Sequence, residues 1–213
     1  FLKAGIYYSK FRGINTNLNI TSRDFLLGNS RSMISVSVGE SMQMDASHFQ
    51  YIGRNKSVAV VAKVNLERLY IETFDDFKQD GAYKQLFYKA AIDIQNSSNN
   101  RYSIGAGTSI EKVHFNPAIS SVNEARGNFS SMKTYVFFKY NTLNKGFYPT
   151  RGVKINTELG RVYNQKPNVT LYQNGIPTGP AAISFDNYTR FYLDGLAHIP
   201  INASFNLFTE FQS

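Results

Sequence analysis

Along most of this chain apolar and polar residues take turns one for one. Ile14, Thr16, Leu18 and Ile20 alternate with Asn15, Asn17, Asn19 and Thr21, and Tyr102, Ile104, Ala106, Thr108 and Ile110 alternate with Ser103, Gly105, Gly107, Ser109 and Glu111. A period of two places successive side chains on opposite faces of a β-strand. The same pattern recurs over residues 2–9, 33–46, 58–67, 85–95, 132–140, 153–160, 190–199 and 202–212. It predicts an all-β chain of about ten strands joined as up-and-down hairpins, with no helix of any length. Turns fall at Gly28-Asn29-Ser30 and at 96–100, with polar loops at 75–81 and 116–128. Asn174-Gly175, Pro177 and Gly179-Pro180 mark 165–180 as a long loop outside any sheet.

The unbroken alternation over 33–46 is about twice the usual soluble strand and matches the ~9–11 residues that cross a bilayer at a tilt. Glu40 is its one departure. It sits in phase with Val38 and Met42, so the strand either leaves hydrocarbon there or carries a bulge. The polar faces are mainly Ser, Asn, Gly, Thr and Gln. Three asparagines on one face of the strand around Asn17 are hard to bury in a dry core. A soluble sandwich would hide large apolar residues under a second sheet and turn charged ones outward. Long strands with small, uncharged polar faces favour instead a sheet with lipid on one side and water on the other.

Composition agrees. Charged residues make up 18% of the 213, below the ~25% of soluble domains. No run approaches the ~18 apolar residues of a spanning helix. Tyr and Phe supply all of the aromatic content, and Trp is absent. The absence of cysteine excludes a disulfide framework, a thiolate metal site and a cysteine nucleophile. The net charge of +8 is carried by residues scattered singly, which reads as solvated faces and not as a nucleic-acid site. Phe1 already lies in a strand pattern, so the chain is expected to start inside a larger protein. No composition shift divides residues 1–213, which read as a single domain.

The strongest local signal is the corner after the strand around Val136. Phe147-Tyr148-Pro149-Thr150-Arg151-Gly152 follows Lys139-Tyr140-Asn141-Thr142-Leu143. Pro149 fixes φ and holds Tyr148 extended, and Gly152 allows a turn where a side chain would clash. Phe147 and Tyr148 place two rings at a strand end, where a membrane barrel carries its aromatic girdle. By itself the corner also suits a hairpin in a soluble β protein.

This corner resembles the aromatic-Pro-Thr-x-Gly turn of the surface-antigen superfamily of outer-membrane barrels, which includes the BamA-type assembly factors. The stretch 13–31, followed by the strand to Val38-Gly39-Glu40, resembles the second and third strands of the barrel attached to bacterial patatin-like phospholipases. The resemblance spans most of residues 1–163. It implies a transmembrane barrel of roughly 16 strands, of which about ten would be present, with C-terminal strands missing. It also implies a bacterial outer-membrane location, contact with outer-membrane lipids, and periplasmic or client proteins as partners, with an oligomer left open. The expected role is the membrane anchor or exporter of an upstream lipid hydrolase, with an assembly or translocation barrel as the alternative. The assembly branch carries a Val-Arg-Gly-Phe type motif, and neither Arg12-Gly13 nor Arg126-Gly127 has the flanking aromatic.

No catalysis or cofactor is expected of this chain. A Gly-x-Ser-x-Gly elbow is absent, with Gly107-Thr108-Ser109 breaking the pattern. His48, His114 and His198 lack metal-ligand spacing, and Lys78 stands where a calcium loop through Asp76, Asp80 and Gly81 would need an oxygen. The Asn-x-Ser/Thr triplets follow from composition. The residues expected to face a wet lumen are Asn15, Asn17, Asn19, Ser35, Ser37, Gly105, Gly107, Arg190 and Asp194. An internal ion network is expected among Arg23, Lys63, Lys89, Glu111, Lys139, Lys154, Glu158, Arg190 and Asp194, and Arg151 is expected to pack against a lumenal carboxylate.

Overall fold

The computed structural model describes residues 2–9, 13–75, 78–98, 101–119, 123–144, 149–181, 185–201 and 206–212. They form one 12-stranded antiparallel sheet. The strands are β1 (Leu2–Ser9), β2 (Gly13–Arg23), β3 (Ser30–Gly39), β4 (Met42–Ile52), β5 (Val58–Asp75), β6 (Lys78–Ser98), β7 (Tyr102–Ile119), β8 (Asn123–Asn141), β9 (Gly152–Gln173), β10 (Ile176–Pro180), β11 (Tyr188–Pro200) and β12 (Asn206–Gln212). Each pairs with its sequence neighbour, except that β11 lies beside β9 and β10 is a short flap on β9. Among the described residues no pairing joins β1 to β12. The sheet curls on itself, since Met33 of β3 and Tyr192 of β11 line one cavity.

Twelve strands replace the expected ten or so, and several are longer than expected, for three physical reasons. The 33–46 segment is two strands, because Glu40 and Ser41 turn the chain and Val38 pairs with Met42. Paired residues four apart keep the same phase, so the alternation runs through the hairpin unbroken. The supposed loops at 75–81 and 116–128 are largely strand: β5 reaches Asp75, β6 starts at Lys78, β7 reaches Ile119 and β8 starts at Asn123. β5 to β9 run 18 to 22 residues, about twice a bilayer crossing. Their far halves carry Glu72, Lys84, Lys112 and Arg126 and lose the apolar alternation. Finally, 165–180 is a hairpin. Asn174 and Gly175 take φ of 52° and 76°, as a two-residue turn of type I′ requires. Pro177 and Pro180 are tolerated because β10 pairs with β9 alone.

Candidate functional site

The two faces of this sheet are inverted relative to a soluble protein. Ile14 and Ile104 are 63% and 56% exposed on the convex face, and Ile92, Ile94, Val136, Leu159 and Leu207 are likewise exposed. Val36 is half-buried on the same face. The concave face buries polar groups, with Asn15 and Asp93 at 0% and Ser37, Ser109 and Lys133 nearly covered. Burying polar and charged groups while exposing isoleucine is unfavourable in water. It becomes favourable where the convex face meets hydrocarbon and the concave face encloses a hydrated lumen.

The lumen is organised around Asp93 on β6. Its Oδ1 accepts a 2.6 Å hydrogen bond from the Tyr135 hydroxyl on β8, and its Oδ2 is ion-paired with Lys63 on β5. Asp93, Gly107 and Tyr135 form one cross-strand row through β6, β7 and β8. A Cβ at Gly107 would stand 2.0 Å from Asp93 Oδ1, so only glycine lets the carboxylate and phenol meet over β7. In the adjoining row the Phe137 ring lies over Gly105, where a Cβ would come within 2.6 Å of its edge. The small residues of β7 are thus sockets for aromatic side chains of β8. Lys63 and Lys139 lie 5.7 and 5.0 Å from the Phe137 ring centre, within cation–π range.

Further pairs surround this centre. Lys133 Nζ is 2.6 Å from Glu158 Oε1 and Lys89 Nζ is 2.7 Å from Glu111 Oε1. Asp194 Oδ2 accepts from Asn156 Nδ2 at 2.7 Å, and Asp45 accepts from Asn65 and Gln43. On the first strands, Asn17 accepts from the Ser35 hydroxyl, Asn15 from that of Ser41 and Asn19 from that of Thr21. Ser37 is buried. Arg190 pairs with Gly160 across β11 and β9, its side chain exposed. Of the expected ion network, Lys63, Lys89, Glu111 and Glu158 do make ion pairs. Among the described residues Arg23, Lys139, Lys154 and Arg190 make none. The residues that sequence reasoning left out are Asp93, Lys133 and Tyr135. The last two share the phase of Lys139 on β8, and that is the signal that marks them.

The corner is held by Asn144, which the sequence reading also passed over. Its Oδ1 accepts the backbone N–H of Thr150 at 3.0 Å and of Arg151 at 3.3 Å, and its Nδ2 donates to Thr150 Oγ1 at 2.9 Å. Gly152 has φ +111°, and a Cβ there would approach Thr142 O to 2.4 Å, so the backbone and the close approach both require glycine. Pro149 is half-buried and Thr150 exposed. Phe147 and Tyr148 lie outside the described residues. Arg151 corrects an expectation: its side chain is exposed and makes no ion pair among the described residues, and it is the backbone N–H of Arg151 that the corner uses.

No family model matches the chain, and no curated protein matches it. A solved structure does: BamA from Haemophilus ducreyi lacking POTRA domains 1–3 superposes with a TM-score of 0.60 at 18% identity, over 95% of this chain. The chain covers 38% of that one. At this identity the likeness shows the fold, an antiparallel up-and-down sheet resembling the BamA barrel.

Proposed function

We propose that the chain is the membrane-embedded sheet of a bacterial outer-membrane β-barrel protein of the BamA type, which assembles or translocates other polypeptides. The observation that carries the membrane reading is the inversion of faces in a single sheet, with Ile14, Ile94 and Ile104 exposed outside and Asp93 and Lys133 buried within. The likeness of nearly the whole chain to BamA supports the assembly role. The role as anchor of a patatin-like hydrolase has only the stretch 13–31 to support it. The strands that project beyond a bilayer thickness do so at the end opposite the 142–151 corner. Since such barrels carry their longer extensions outside the cell, that end is the extracellular one and the corner faces the periplasm.

The test is reconstitution. Proteoliposomes holding the protein should speed the insertion of a urea-unfolded outer-membrane β-barrel client, read as protease protection, over protein-free liposomes. Equal rates would count against an assembly role, and release of the protein from cells without detergent would count against the membrane reading itself.

A further inference from the structure

The cations of the lumen are distributed unevenly. At mid-height Lys63, Lys89 and Lys133 each hold a carboxylate. Toward the corner end the pairing stops. A cavity of about 840 Å³ there is lined by Arg23, Arg31, Lys56, Arg101 and Lys139, and Asp24 is the one carboxylate among its described lining residues. Asp24 is already engaged, since its Oδ1 accepts the Ser30 N–H at 3.0 Å to close the β2–β3 turn. None of the five cations makes an ion pair among the described residues. Phe49 and Lys139 also line the mid-lumen cavity of about 640 Å³, so the two spaces adjoin.

Five like charges around one concavity repel each other, and low-dielectric walls focus their field into it. Among the described residues Asp24 is the one lining carboxylate and the Phe137 ring the one aromatic partner of Lys139, so the cations outnumber what faces them, and an oxyanion would offset their repulsion. Guanidinium groups present a planar fork that matches carboxylate and phosphate, and Arg/Lys rings are the usual lining of anion-taking pores. We propose that this mouth is an anion-binding vestibule, receiving solutes with several carboxylate or phosphate groups as they approach the lumen from the corner end. The inference is independent of the assembly role, because it concerns the lining alone.

The experiment is calorimetric titration of the folded protein, in uncharged detergent at low ionic strength, with sodium tripolyphosphate and separately with a hexaglutamate peptide. Saturable binding of either probe is expected, and the tighter one shows which oxyanion the vestibule prefers. The triple variant R23Q/R31Q/R101Q should bind about tenfold or more weakly, the order expected for losing charge-assisted donors. A control with the same loss of charge elsewhere, K78Q/K112Q/K166Q, should bind as the parent does. No saturable binding of either probe, or equal weakening in both triple variants, overturns the proposal. Should the first triple variant fail to show heat-modifiable gel mobility, R101Q alone decides. Arg101 is exposed and its turn is held by backbone hydrogen bonds, so the substitution leaves the fold intact; a loss of about threefold supports the vestibule and parent-like binding overturns it.

Discussion

Tyr135 reaches over Gly107 to hydrogen-bond Asp93 at 2.6 Å, linking β8 to β6 across the intervening strand. Backbone pairing joins neighbours only, so this contact and the Lys63 ion pair tie β5, β6 and β8 together across β7 through one buried carboxylate.

Removing that carboxylate's charge should be costly. Asp93→Asn leaves Lys63 without its counter-ion and should destabilise the barrel by about 2–4 kcal/mol, and Tyr135→Phe by about 1–2 kcal/mol. Both are read as the temperature at which heat-modifiable gel mobility is lost. Equal values for the two variants and the parent would remove Asp93 from the centre of the lumen.

Gly107→Ala puts a Cβ 2.0 Å from Asp93 Oδ1 and should lower stability by about 1–3 kcal/mol. Gly5→Ala, where nothing lies within 4 Å, is the comparison and should stay within about 0.5 kcal/mol. Denaturant titration of both in detergent or bilayers checks the difference.

At the corner, Gly152→Ala and Asn144→Ala should each cost about 1–2 kcal/mol, the first through φ +111° and the second through its lost hydrogen bonds. Arg151→Ala should change stability by less than about 0.5 kcal/mol, since its side chain is exposed. Thermal unfolding that ranks Arg151 above Asn144 would reverse this assignment.

Adjacent residues on β6 test the two faces. Ile94→Glu places a charge against lipid and should cost about 1–3 kcal/mol, whereas Gln95→Glu adds an anion beside the cations lining the corner-end cavity and should be tolerated. Folding yield into lipid vesicles separates them.

What the sequence shows of this fold is what a period of two can encode. Ile94 against Gln95 and Ile104 against Ser103 are legible because lipid and water impose opposite demands on neighbouring residues. The Glu40–Ser41 turn is not, because Val38 and Met42 keep the same phase around it. The far halves of β5 to β9 are not, because they carry Lys78, Asn116 and Arg126 as a loop would. The Asp93–Tyr135 bond depends on register across three strands, which no local pattern carries. Asn144 was hidden for a related reason: its partners, Thr150 and Arg151, lie across the turn.

The central claim is the direction each face looks, and the absence of native cysteine makes it directly measurable. Single cysteines at Leu18, Ile20, Ile94, Ile104 and Val136, and at Asn17, Asn19, Gln95 and Ser103, can be spin-labelled in the protein reconstituted in bilayers. The first five labels should collide preferentially with oxygen dissolved in lipid and the other four with a water-soluble nickel chelate. Labels that show no alternation, or the opposite one, would contradict the account.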